Sequence, residues 1–493
     1  MATRWWVLGA ALALAGAAAG CGDDSSPADD GGADDGRDDG GADADADADA
    51  DGDADADAEV EVEPDADAET TGDGDGGGGD ELAFQVTGSD TGEPLEDVQV
   101  LVQTAAGDEW LVTDAAGSVT VTDLDLAEDP PTVSFFREGY GYVTYVGVDR
   151  ALPDPVDLPA TADPDLIQVS GAANGLTDTQ RAAVSVWDGR GMFQNAWTIE
   201  PDDDYLRQIL VGTDWTAIDG QAFAADLTTG SLENWARGTV DYACAAEPCP
   251  DATLDFDLPA TPPAMSHATV TLAWPTGFDA FPTPAYLPVS DNVVVLFELL
   301  GLSETDGARV GTGEAVRRST TPAGLELDIG WVTDLGGFAA ADAYATYQVS
   351  GNDAYDAFAE MRVYGVPTDG QTIDVLEPPV FSTPSSVTAG FSVSGDTAEW
   401  TLPDWASYTV LWLYSSDLQT LQWLVILPKS VTSFRFPSIP ETFPSMAPAM
   451  RLGVYAQGYE GAPDSVWELF EMGETFTGHF LGNVYDVRYR AGR

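Results

Sequence analysis

From Leu82 onward the chain is written in short alternating runs. Leu82-Ala83-Phe84-Gln85-Val86, Val98-Gln99-Val100-Leu101-Val102 and Val119-Thr120-Val121 place apolar side chains at every second position. That period of two predicts strands with one face on a core. Further apolar runs stand at Trp110 to Thr113, Val133 to Phe136, Tyr142 to Val148, Ala268 to Trp274 and Tyr408 to Trp412. Gly, Pro, Asp and Thr interrupt them about every 8–12 residues, the spacing of all-β sandwiches. Helical periodicity is weak, with Asp353 to Met361 the best candidate for a short helix. The pattern predicts an all-β chain of tandem β-sandwiches.

The first unit covers about residues 82–158. It enters through Thr91-Gly92-Glu93-Pro94-Leu95 and Val98 to Val102, turns at Thr113-Asp114-Ala115-Ala116-Gly117, and carries a late Gly139-Tyr140. These three features resemble the carboxypeptidase regulatory-like (transthyretin-like) β-sandwich. The resemblance covers about a sixth of the chain and implies an accessory, non-catalytic module. The His-x-x-Glu pair of the zinc carboxypeptidases that some relatives accompany does not occur in this sequence. An echo sets the next boundary: Asp157-Leu158-Pro159-Ala160-Thr161 recurs as Asp257-Leu258-Pro259-Ala260-Thr261, and Ile373-Asp374-Val375-Leu376-Glu377-Pro378-Pro379 repeats it weakly. A period of about 100 residues fits one sandwich. The expected units are therefore 82–158, 161–260, 262–378 and 384–493. In the last, Trp400-Thr401-Leu402-Pro403 followed by Tyr408 to Trp412 resembles fibronectin-type-III or immunoglobulin-like packing.

Residues 1–21 read as an export signal: Arg4, an apolar stretch from Trp5 to Ala19, then small residues before Cys21. Ala18-Ala19-Gly20-Cys21 resembles a bacterial lipobox, which implies that Cys21 is lipidated and becomes the mature N-terminus. The alternative is an ordinary signal peptide cleaved near Ala19. The apolar run is shorter than the roughly 20 residues of a membrane span, and Val293 to Leu302 is short and interrupted by Glu298. Residues 22–80 are nearly all Asp, Ala and Gly, a composition that cannot bury a core and predicts a disordered acidic linker. As a flexible coil it spans about 40–45 Å. Asp47, Asp49, Asp51, Gly52, Asp53 and Asp55 match positions 1, 3, 5, 6, 7 and 9 of an EF-hand loop, but Ala58 stands at the twelfth. Diffuse, weak binding of calcium is the expectation there.

Charge narrows the partners. The net charge is −67; residues 22–80 hold 25 acids and one Arg, and residues 81–493 hold 60 acids against 16 Lys and Arg. Both parts repel phosphate backbones, which argues against nucleic acid as a partner. Cys244 and Cys249 bracket four residues, and outside the cytoplasm such a pair forms a disulfide. His267 and His479, the two histidines, have no nucleophile or metal motif beside them. Asp202-Asp203-Asp204 reads as a solvated turn able to lend ligands to a surface calcium ion. Trp187, Trp274, Trp331 and Trp412 lie in apolar strands and are expected in the core. Trp215, Trp235, Trp405 and Trp467 stand beside polar or turn residues and are the candidates for exposed ligand platforms. No catalytic residue and no cofactor beyond weak calcium is expected. The reading is a non-enzymatic, lipid-anchored envelope or cell-surface protein with a binding, adhesion or structural role. It would touch the membrane through its lipid and an envelope polysaccharide or protein through its domains. An exported hydrolase of polysaccharide or peptide, with 82–158 as accessory module, is the alternative; the sequence leaves the ligand and the oligomeric state open.

Overall fold

The computed structural model describes residues 80–89, 92–161, 166–187, 194–199, 201, 203–210, 216–226, 232–244, 249–274, 293–303, 309–311, 313–321, 324–333, 340–351, 357–383, 397–415, 421–439, 450–472, 476 and 480–490. The fold is all-β: the described elements are strands except for one helix, α1 (Val466–Met472).

The first unit supplies β1 (Asp80–Gly88), β2 (Gln99–Thr104), β3 (Gly107–Val112), β4 (Ser118–Leu124), β5 (Thr132–Phe136), β6 (Tyr142–Tyr145) and β7 (Val156–Leu158). One layer has the order β4-β1-β7; the other runs β6-β5-β2-β3. Leu82, Phe84 and Val86 alternate with exposed Glu81, Ala83 and Gln85, and meet Val100, Val102, Phe135 and Val143 across the core. The turn before β4 needs its residues individually. The Asp114 carboxylate accepts the backbone N–H of Ala116 and of Ser118, each at 2.9 Å. Gly117 has φ +71°, and a Cβ there would sit 2.5 Å from the Val86 carbonyl oxygen.

The segments that echo in sequence hold one position in three units. β7 runs parallel to β1, with Val86 opposite Val156. Phe256–Asp257 runs parallel to Leu166–Asn174, with Phe256 opposite Ala173, and Gln371–Asp374 runs parallel to Met265–Ala273, with Ile373 opposite Leu272. In each case the closing strand lies beside the opening one. The cross-strand pairs also correspond: Thr87 bonds Asp157, and Asn174 Nδ2 donates to Asp257 at 2.9 Å. A Pro stands within four residues of the end of each closing strand (Pro159, Pro259, Pro378), and it has no N–H with which to extend a ladder.

The second layers of three units join edge to edge. β6 pairs in parallel with Leu421–Pro428, placing Tyr142 opposite Trp423 and Thr144 opposite Val425. Ala357–Tyr364 pairs antiparallel with Phe480–Arg490. One twelve-stranded sheet results, ordered Arg309–Gly311, Val293–Ser303, Ala340–Gly351, Ala357–Tyr364, Phe480–Arg490, Met450–Tyr459, Tyr408–Ser415, Leu421–Pro428, β6, β5, β2, β3. Its middle is covered on both faces. Leu424, Ile426, Val410 and Trp412 pack with the first unit's core and with Trp467 and Leu469 of α1. Trp423, Val425, Leu411 and Leu413 pack under Phe381, Trp400 and Phe434 of a three-stranded sheet. Two covered faces require apolar residues at successive positions, which is why Val410–Tyr414 and Trp423–Leu427 run almost without a polar break.

Residues 166–258 form a separate pair of four-stranded sheets around Val169, Val184, Ile218 and Phe256. In the third unit, Val270, Leu327 and Ile329 pack on Ala345, Tyr347 and Met361. That packing corrects the helix expected at 353–361 over 357–361; residues 353–356 lie outside the described residues. Ala357–Tyr364 is a strand with ladder partners on both sides, and Met361 and Val363 point to the core at period two. Two-sided pairing outweighs the weak helical pattern.

Burial raises the pKa of several tyrosines. Tyr459 is pushed up to about 12, first by burial, and Tyr408, stacked against it at 6.4 Å between ring centroids, is raised well above its ordinary value, again first by burial. In the unfolded chain each ionises near 10.0. The unfolded state therefore releases protons first. The stability tied to these neutral rings is intact below pH 10 and falls as pH rises toward 12. Denaturant midpoints measured at about pH 9 and about pH 11 should drop at the higher value, with a further rise in tyrosinate absorbance on unfolding at about pH 11. An unchanged midpoint would contradict it.

Candidate functional site

The sheet leaves β3 at its margin. Among the described residues β3 pairs with β2 alone, through six consecutive pairs from Gln99–Val112 to Thr104–Gly107, with no bulge. Leu111 turns inward against the core. Trp110 and Val112 share the opposite face and are 46% and 54% exposed. Trp110 is not loose: its ring sits 5.8 Å from that of Phe136, which is buried beneath. Asp108 stands on the Trp110 face and Glu109 on the other, both exposed.

Both ends of β3 are fixed. At its far end Thr113 Oγ1 donates to the Leu95 carbonyl at 2.7 Å and accepts the Val98 N–H at 2.9 Å. At its near end Asp129 accepts the Ala105 N–H at 2.8 Å, and Gln103 Nε2 donates to Asp108 at 3.3 Å. A pre-ordered strand with an apolar face and an unpaired edge can take up a further strand through its backbone.

The residues singled out from the sequence are scattered. Cys21, the acids Asp47, Asp49, Asp51, Asp53 and Asp55, His479, Trp215 and Asp202 lie outside the described residues. Cys244 and Cys249 form the disulfide, with Cα atoms 4.9 Å apart, and Cys249 packs into the second unit's core. His267 is exposed and lies against Gly330. Asp203 and Asp204 are exposed, and Asp204 opens a strand. Among the described residues no three His, Cys, Asp or Glu side chains gather to hold a metal. No helix among them is long and apolar enough to cross a membrane.

The tryptophans need correction. Trp467 is no platform: it is fully buried, and its Nε1 donates to the Val146 carbonyl at 3.2 Å. Its polar neighbours belong to the outer side of α1, where Glu468 and Glu471 reach Arg150 at 3.6 and 2.8 Å. Trp405 is half-buried; its Nε1 donates to the Glu377 carbonyl at 2.8 Å, and its ring lies on Gly458, where a Cβ would meet it at 2.5 Å. Trp405 therefore pins the 375–379 segment. Trp235 is half-buried opposite Phe223, with Nε1 3.4 Å from Gln221 Oε1. Trp274, Trp331 and Trp412 are buried in cores. Among the described residues the exposed indole is Trp110, in a run that predicts a strand. The signal for it was Gly107-Asp108-Glu109 immediately before, which leaves an edge strand half polar.

No protein-family model matches the chain, and no curated protein does. Solved structures match it faintly. The Bacillus anthracis TIE protein has 10% identity and a TM-score of 0.16, over 60% of this chain and 50% of its own. The matched region thus spans half the length of that protein. A tetra-tandem repeat from the extending region of a large adhesion protein has 11% identity and a TM-score of 0.12, over 83% and 99%. A Ca2+-stabilized adhesin of an Antarctic bacterium has 10% and 0.13, over 84% and 98%. Scores this low carry no argument; the architecture rests on the strands themselves.

The two contrasting tryptophans give a direct test. Trp467→Ala should destabilise the fold by about 3–5 kcal/mol, the cost of emptying a buried aromatic site. Trp110→Ala, which loses one aromatic contact at a half-exposed site, should cost only about 1 kcal/mol. Equal costs in urea unfolding would contradict the assignment of one to core and the other to surface.

Proposed function

We propose that the protein is an exported, lipid-anchored component of a bacterial envelope or cell surface, with a non-catalytic binding, adhesive or structural role. The observation that carries this reading is the open edge of β3, an ordered strand with Trp110 and Val112 exposed, presented at the margin of a sheet that fuses three sandwiches. A fused sheet resists bending between units, so a contact made at that margin is held by the whole body. Lipidation of Cys21 would fix the chain to the membrane, and residues 22–80 would act as the spacer. Partners on this reading are an envelope polysaccharide or protein, and divalent cations bound diffusely by the spacer.

Labelling cells with palmitate tests the anchor: wild type should carry the label and Cys21→Ala should lose it. Equal label in both would overturn lipidation. The spacer is tested by small-angle scattering of the chain starting after Cys21. Millimolar calcium should shrink its radius of gyration more than a monovalent salt of equal ionic strength. A form starting near Asp80 should change much less, and equal changes in both would refute calcium binding by the spacer.

A further inference from the structure

This chain joins its own units by strand addition twice. β6 lies beside Leu421–Pro428, and Ala357–Tyr364 lies beside Phe480–Arg490, so four sheet edges become interior ladder. Among the described residues two edges of the twelve-stranded sheet are left. Arg309–Gly311 has three residues, and a very short edge is one way of keeping an edge inert. β3 has six, with no Pro, no Lys and no bulge, and with Trp110 and Val112 exposed. The protection it carries is charge, Asp108 and Glu109, which repels an acidic strand and leaves the edge open to a cationic one.

We propose that β3 accepts an extended segment of a partner protein as an added strand, and that this segment alternates cationic and apolar residues. The internal joint at β6 shows the chemistry that such an addition uses here: a backbone ladder with an aromatic pair, Tyr142 beside Trp423 with ring centroids 5.5 Å apart, on one face. Trp110 and Val112 offer the same kind of face to an incoming apolar residue. Charge selects the rest. Asp108 and Glu109 project from opposite faces of β3, and residues 81–158 carry sixteen Asp and Glu against two Arg. A Lys or Arg opposite either acid is attracted, whereas a second copy of this chain would set acid against acid. The occupant is therefore a basic strand of a different protein.

The inference rests on β3 being the contact surface; it is measured on purified protein, so failure of export or lipidation in cells leaves it untouched. The probe is a labelled ten-residue peptide alternating Lys and Val, titrated into the full chain in neutral detergent. The control peptide has the same composition in two blocks, which any acidic surface, the spacer included, binds equally well. The alternating peptide should bind about tenfold tighter and should slow hydrogen exchange within 107–112. Trp110→Ser/Val112→Ser, which leaves the charge unchanged, should abolish the preference, and Asp108→Asn/Glu109→Gln should reduce it most at low salt. Equal affinity for the two peptides, or no protection within 107–112, would overturn the proposal without needing either variant to fold. Protection of 107–112 that grows with protein concentration in the absence of peptide would also overturn it, since the occupant would then be a second copy.

Discussion

The parallel pairing of β6 with Leu421–Pro428 is the contact on which the architecture depends. It brings together residues 279 apart in sequence, as in the bond from Trp423 Nε1 to Thr144 Oγ1 at 3.0 Å. Thr144 in turn shares a hydrogen bond with Ser134 at 2.8 Å, so the polar atoms buried at the joint satisfy one another. On either side the joint is apolar. Without it the first unit would expose Tyr142 and Val143 on a bare edge, and Trp467 would lose both its cover and its acceptor at Val146. Long-range pairing of this kind has to overcome a large loop-closure entropy, and the two covered faces supply the burial that does so.

Because the joint links the first unit to the last, residues 161–378 form an excursion between two parts of one sheet. The second unit keeps a core of its own, whereas the third returns to the sheet through Ala340–Gly351 and Ala357–Tyr364. The first unit is thus seated on the body by its β6 margin and presents β3 at the opposite margin. The polar cross-links at the seat, Arg150 with Glu468 and Glu471, are partly exposed and contribute little energy; they orient α1.

Much of this was legible in the sequence where a strand has one covered face. Leu82 to Val86 and Val119 to Val121 alternate cleanly, and the closing strands announced themselves through their Asp and Pro. Cys244 and Cys249 were close enough to pair on spacing alone. What the sequence could not convey was edge-to-edge fusion. A strand such as Leu421 to Leu427, apolar at nearly every position, records that both faces are covered but not by which partner. The same limit explains the tryptophans. Polar neighbours of Trp467 point in sequence to exposure, yet on a helix they occupy the other side, and only the fold decides which side meets the core. Trp110 was hidden for the converse reason: its run is apolar, and exposure follows from its place at the sheet margin.

Hydrogen exchange at the joint tests the account most directly. The Val146 N–H donates to the Ile426 carbonyl at 3.0 Å, across the seam between the first and last units. If the seam is part of the cooperative fold, a peptide covering residues 142–148 should exchange as slowly as β2 and β5, while β3 exchanges faster in the same sample. Exchange of 142–148 at the rate of β3 would mean that the first unit stands apart, and the fused sheet would have to be abandoned.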